Sequence, residues 1–130
     1  MCIFCQIING EIPSSVVYED EKTIAILDIS QVTKGHTLVI PKKHYENLFE
    51  LEDEEAIHYF KVVKKLSEEI YKKTNAKGLN ILNNTNEIAG QTVNHLHFHI
   101  IPRYDENDAL SINFGQSEKL DLASVLALLK

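Results

Sequence analysis

The sequence predicts an α+β domain: an antiparallel five-stranded sheet, one long helix and short helices near the two ends. Three observations carry this. Five short runs are rich in β-branched and aromatic residues and are bounded by turn formers. One stretch, 53–73, repeats apolar residues at three- and four-residue steps. The strands are joined by hairpins around that single helix, which suits an antiparallel sheet.

Size and composition bound the reading. The chain has 130 residues, enough for one domain with a real core. It is 44% hydrophobic and 25% charged, an ordinary globular balance. The net charge of −6 argues against nonspecific nucleic-acid binding, which needs a basic footprint. It leaves room for a small anion, because local donors outweigh a screened distant charge. No apolar run approaches transmembrane length and no signal-peptide pattern opens the chain, so no membrane partner is expected. Two cysteines close together make no disulfide framework, and the expected setting is the reducing cytoplasm.

The elements follow in order. Residues 2–10 read as a short apolar helical turn that Gly10 ends. Residues 16–19 and 23–27 flank Asp20-Glu21-Lys22 and read as a hairpin. A loop with Lys34-Gly35 leads to a third strand, 37–40, stopped by Pro41. In the long helix, Ile57, Phe60, Val63, Leu66 and Ile70 form the expected apolar stripe. Its first turn is acidic and its last turn is basic, as the helix dipole favours. Gly78 releases the chain into a fourth strand, 79–83, and a polar loop, 84–92, follows. Residues 121–129 read as an amphipathic helix through Leu122, Val125, Leu126 and Leu129.

The fifth strand carries the chemistry. Residues 95–101 read His-Leu-His-Phe-His-Ile-Ile, imidazole alternating with apolar side chain. A strand sends alternate residues to opposite faces, so Leu96, Phe98 and Ile100 go to the core while His95, His97 and His99 share the other face. Alternate Cα atoms lie about 6.6 Å apart, so neighbouring imidazoles can bear on one small ligand. A merely solvated face would do as well with Thr, Lys or Glu. Two readings stay open. Either the imidazoles hold a metal, or they transfer a phosphoryl or nucleotidyl group, with one ring attacking phosphorus and the others donating to its oxygens.

Three further groups are candidates. Gly90 allows close backbone approach, and Gln91 and Thr92 add donors beside it, as in a phosphate nest. Cys2 and Cys5 could be half of a zinc site, a redox pair or two buried small side chains; His44 and His95 are available to complete a zinc site. Asp28 ends a strand, where such a residue is usually a turn cap; the alternative is an acceptor for sugar hydroxyls. His36 and His58 read as structural, the latter as a solvated side chain off the helix stripe.

With these residues laid out, the chain resembles the histidine triad family of nucleotide hydrolases and transferases. The resemblance runs from about Cys2 to Tyr104, leaving 105–130 as a C-terminal tail whose helix is expected to pack on the same domain. It rests on the triad, on Leu27-Asp28-Ile29-Ser30, on residues 35–42 (Gly-His-Thr-Leu-Val-Ile-Pro-Lys), on the asparagine before the loop and on Gly90-Gln91-Thr92. The resemblance implies that His97 is the nucleophile and that His99 binds phosphate and helps protonate the leaving group. It implies that His95 orients the nucleophile through its backbone carbonyl, with Gln91 assisting. Asn84, Gly90, Gln91 and Thr92 would meet phosphate or leaving-group atoms, and Asp28 the ribose. Relatives beginning with a similar Cys-x-x-Cys imply a structural Zn²⁺ on Cys2, Cys5, His44 and His95, with no catalytic metal. They also imply a homodimer paired through the long helix and an edge strand. The third histidine, His99, resembles the hydrolase branch, since transferases typically carry glutamine there. The chain departs from the phosphoramidase subgroup in having no Trp and a longer tail. That leaves phosphoramidates, aminoacyl adenylates and dinucleoside polyphosphates as candidate substrates. The alternative is a purine-nucleotide-binding regulatory or scaffold protein with vestigial turnover.

Overall fold

The computed structural model describes residues 2–130. Helix α1 (Ile3–Ile8) precedes strands β1 (Val16–Glu19), β2 (Thr23–Leu27) and β3 (Thr37–Pro41). Helix α2 (Asp53–Lys73), strand β4 (Gly78–Leu82), strand β5 (Phe98–Arg103) and helix α3 (Leu122–Leu129) follow. All strand pairs are antiparallel, in the order β1-β2-β3-β5-β4. The expected fold class therefore holds. Two of its joints are hairpins; the link from β3 through α2 is long, and β5 enters between β3 and β4.

The sheet is covered on both faces, and the pleat sorts side chains between them. Ala25, Val39, Leu96 and Ile100 pack with the α2 residues Tyr59, Val62, Val63, Leu66 and Ile70. Ile24, Ile26, Leu38 and Ile40 pack on the opposite face with Phe4 of α1. Burying each such side chain contributes about 1.5–3 kcal/mol.

The buried stripe of α2 is rotated from the expected one. Ile57 is 63% exposed and Phe60 42%, whereas Tyr59 and Val62 are buried. The physical reason is the Tyr59 hydroxyl. It donates to the Val39 carbonyl at 2.6 Å, so a residue that reads as half-polar is the one turned inward. His58 is likewise not simply solvated. Its Nε2 lies 2.8 Å from Asp20 Oδ2, which also accepts from the Tyr18 hydroxyl at 2.7 Å. This cluster ties the β1–β2 turn to the helix.

Helix α3 forms where expected, but its packing differs from expectation. Leu122, Leu126, Leu128 and Leu129 stay exposed and no residue of α3 is buried. Both sheet faces are already taken by α1 and α2, so the chain offers α3 no free sheet face.

Candidate active site

The histidines sit where the sheet opens toward α1. Strand β5 begins at Phe98, so His99 alone lies in the ladder, opposite Leu38 and Leu82. His95 and His97 precede it in irregular chain, a correction to the expected continuous strand. The reason is that β4 ends at Leu82 and the loop diverges, so other groups replace the ladder. The Leu96 N–H donates to the Tyr45 carbonyl at 2.7 Å, and the Asn83 side-chain amide donates to the His97 carbonyl at 3.1 Å.

Hydrogen-bond partners assign the tautomer of each ring. His95, fully buried, donates from Nε2 to the Pro41 carbonyl at 2.8 Å, leaving Nδ1 as a lone pair. His97 donates from Nδ1 to the His95 carbonyl at 2.7 Å, so its Nε2 carries the free lone pair. His36 accepts the Val32 N–H on Nδ1 at 3.3 Å, so its Nε2 holds the proton and donates to His99 Nδ1 at 2.9 Å. His99 then keeps its own proton on Nε2. Three backbone groups thus place one ring as a base or nucleophile and its neighbour as a donor. The burial of all four rings favours their neutral forms. Burial pushes His97 down from its ordinary value, against the opposing pull of the His95 carbonyl and Asp28. His99 falls to about 4 through burial and then through His97 and His36.

Both rings line a cleft of about 220 Å³. Ile3, Phe4, Ile7, Ile26 and Leu38 form its apolar side; Asp28, Thr92, His97 and His99 contribute polar groups. Asp28 is the turn cap expected of it, and its second oxygen faces the cleft. Its Oδ1 accepts the Ser30 N–H at 2.8 Å as a turn cap, and its Oδ2 lies 3.7 Å from His36 Nε2 at the cleft. Asp28, His36 and His99 also cluster as possible metal ligands, but the His36 Nε2 proton required by Val32 opposes coordination there.

The loop residues fall less simply. Thr92 reaches the cleft, but Gln91 is buried and fully engaged. Its amide donates to the Glu46 and Val93 carbonyls at 2.6 and 3.0 Å, and its Oε1 accepts the Asn86 N–H at 2.8 Å. Gln91 therefore shapes the loop rather than offering a free donor. Asn84 donates to the Gly90 carbonyl at 3.3 Å, inside the loop. Gly90 has φ +103°, and a Cβ there would press on the Asn84 amide at 3.3 Å. The asparagine that touches the triad is Asn83.

A second constellation matches the expected metal set. Cys2 Sγ lies 3.5 Å and Cys5 Sγ 3.6 Å from His95 Nδ1; Cys5 Sγ lies 3.3 Å from His44 Nδ1, and the two Nδ1 atoms are 3.0 Å apart. All four ligand atoms fall within 4.8 Å of one another. A tetrahedral Zn²⁺ with bonds of roughly 2.0–2.3 Å needs ligands roughly 3.3–3.8 Å apart. Of these four distances only the His–His one is tighter than that. The donor set, two soft sulfurs and two imidazoles with His95 Nδ1 already stripped of its proton, fits the ion.

Sequence reasoning missed His36, which sets the tautomer of His99, Asn83, which holds the His97 carbonyl, and Phe4, whose ring meets His97 edge-on at 5.0 Å. His36 reads as structural in the sequence because its partner His99 lies 63 residues away. Nothing local marks the other two.

Comparison with known proteins agrees with this geometry. The HIT domain model matches residues 9–106. An uncharacterised HIT-like protein of Methanocaldococcus jannaschii is 55% identical over 130 residues, 100% of this chain and 99% of its own length. A Candida albicans protein named adenosine 5′-monophosphoramidase is 41% identical over 87% of this chain and 77% of its own. A crystal structure of a Bacillus subtilis HIT family member superposes with TM-score 0.91 at 50% identity, covering 98% of this chain and 94% of that one. A zinc-bound histidine triad family protein of Mycobacterium smegmatis gives TM-score 0.76 at 38% identity, covering 82% and 77%. With a family model spanning residues 9–106 and relatives 41–55% identical over most of both chains, the chain belongs to the HIT domain family.

Proposed function

We propose that this chain is a nucleotide hydrolase that cleaves a nucleoside 5′-phosphoryl bond through a covalent nucleotidyl-histidine on His97. The observation that carries the reading is the His97 ring, held by the His95 carbonyl with a free Nε2 lone pair beside the protonated Nε2 of His99. The name of the Candida relative, a phosphoramidase of AMP, supports the substrate class. The apolar side of the cleft suits a purine, Asp28 suits ribose hydroxyls, and Thr92 and His99 suit phosphate oxygens.

In the first step His97 Nε2 bonds to the α-phosphorus as the bond to the leaving atom breaks. The Nε2–H of the neutral His99 donates a hydrogen bond to the leaving atom, and the leaving group takes its proton from solvent. Water then attacks phosphorus, the labile P–N bond breaks to regenerate His97, and the surplus proton of that water returns to solvent. Asp28 anchors the ribose and Gln91 keeps the loop in place through both steps.

Cys2, Cys5, His44 and His95 hold a structural Zn²⁺ in this reading. The ion, when bound, supplies a cross-link between the chain's start and the triad segment and takes no part in the reaction. The chain works as a homodimer. A groove beside Ser67, Tyr71 and Leu79, flanked by exposed Ile81 and Leu82 on the edge strand β4, supports that interface. The free thiols suit a reducing cytoplasm. Among the described residues no helix is long and apolar enough to cross a membrane.

Intact-mass spectrometry after brief mixing with adenosine 5′-phosphoramidate tests the reaction. An adenylyl-sized adduct or released AMP is expected for the wild type and neither for His97→Ala. Purine-nucleotide binding with no adduct and no AMP above the mutant's level would instead support the binding-protein alternative.

A further inference from the structure

Helix α1 has two jobs that share six residues. Its start carries Cys2 and Cys5, both aimed at His95 Nδ1. Between them Phe4 is buried, and with Ile3 and Ile7 it walls the nucleotide cleft. A six-residue helix is too short to be stable by itself in water. It is held by Phe4 in the small core beneath and by the four-ligand cluster above. The Phe4 ring also meets His95 and His97 edge-on, at 5.9 and 5.0 Å. The cysteine ligands and the cleft wall thus share one short helix and its N-cap.

We propose that the metal site is an allosteric determinant of nucleotide affinity: a divalent zinc ion on Cys2, Cys5, His44 and His95 clamps α1 against the cleft, and its loss lets the wall of Ile3, Phe4 and Ile7 swing away. This rests on the nucleotide-site reading above. Two sites that bias one element are coupled reciprocally. Zinc therefore tightens AMP binding by some factor, and AMP tightens zinc binding by the same factor. Phe4 acts as a positioning residue, because it carries the position of α1 to the base side of the cleft and to the His97 ring.

The test is a double titration on the full chain. AMP affinity is measured calorimetrically for the zinc-loaded protein and for protein stripped by chelator, with circular dichroism confirming the sheet in both. The expected result is AMP binding at least about tenfold weaker without zinc. Equal affinity in the two states overturns the proposal while leaving the nucleotide reading intact; no AMP binding to the zinc-loaded protein overturns that reading itself. Should the stripped protein unfold, the reciprocal arm decides. Chelator competition for zinc is run on the loaded protein with and without saturating AMP, and with Phe4→Ala. AMP should strengthen zinc retention about tenfold in the wild type and much less in Phe4→Ala. Unchanged zinc retention overturns the coupling.

Discussion

At the scale of single residues, the site is a matter of protons placed by backbone. His97→Ala should lower turnover by more than about 10³-fold while leaving nucleotide binding largely intact, measured as kcat against Kd. His36 has a subtler task. Its Nε2 proton, fixed by Val32, forces the His99 proton onto Nε2, where it can donate to the leaving atom. His36→Ala frees that tautomer and should cost about 10–10²-fold in kcat, part of the 10²–10³ of one positioned donor. The buried rings also predict a pH dependence of stability. His99 falls to about 4 in the folded chain, against about 6.5 unfolded. Between those values the unfolded chain binds the extra proton, so stability is full above about pH 6.5 and is lost as pH falls toward 4. Denaturant midpoints from pH 7 to 4.5 should fall, and the fall should shrink in His99→Asn. Asp20 behaves alike at lower pH. Burial would raise it, but bonds from Tyr18, the Lys22 N–H, His58 and the Thr23 N–H outweigh this and hold it at about 2.

At the scale of elements, close approach and buried polar bonds decide stability. Gly35 turns the chain into β3 with φ +98°, and a Cβ there would sit 3.0 Å from Thr74 Cγ2 and 3.2 Å from Pro102 Cγ. Gly35→Ala should destabilise by about 2 kcal/mol or more, from left-handed strain and overpacking together, read by urea denaturation. It should also disturb the adjacent His36. Tyr59→Phe leaves the Val39 carbonyl without its side-chain donor and should cost about 1–2 kcal/mol, while Phe60→Leu, half exposed, should cost less. In the proposed zinc form the ion ties α1 down, so zinc removal should lower Tm by several degrees, seen by calorimetry with and without chelator.

At the scale of the whole molecule, the exposed apolar surface asks for a cover. Ile57, Phe60, Ile81 and Leu82 on the body and Leu122, Leu126, Leu128 and Leu129 on α3 are all exposed in the single chain. In the proposed dimer, those on α2 and β4 are the side chains a partner would cover. Sedimentation should find a dimer at micromolar concentration, and Leu82→Glu, exposed in the chain by itself, should weaken it by tenfold or more without unfolding the monomer.

The residue pattern by itself determined the sheet and the long helix, and it pointed to the histidines as the site. Those rest on local rules: β-rich runs between turn formers, a period near 3.6 at 53–73, and imidazole alternating with apolar residues at 95–101, of which 98–101 is strand. Only the tertiary structure decided which neighbour completes each function. Asn83 rather than Asn84 holds the His97 carbonyl because β4 ends at Leu82 and sends the first of the two asparagines inward. Gln91 is spent on Glu46, and His36 rather than a loop donor sets His99. The α2 stripe turned toward Tyr59 because a carbonyl of β3 waited there. Each of these depends on partners 20 or more residues apart, or on where a strand stops. Hydrogen bonds between distant segments obey the folded geometry, and no local period records them.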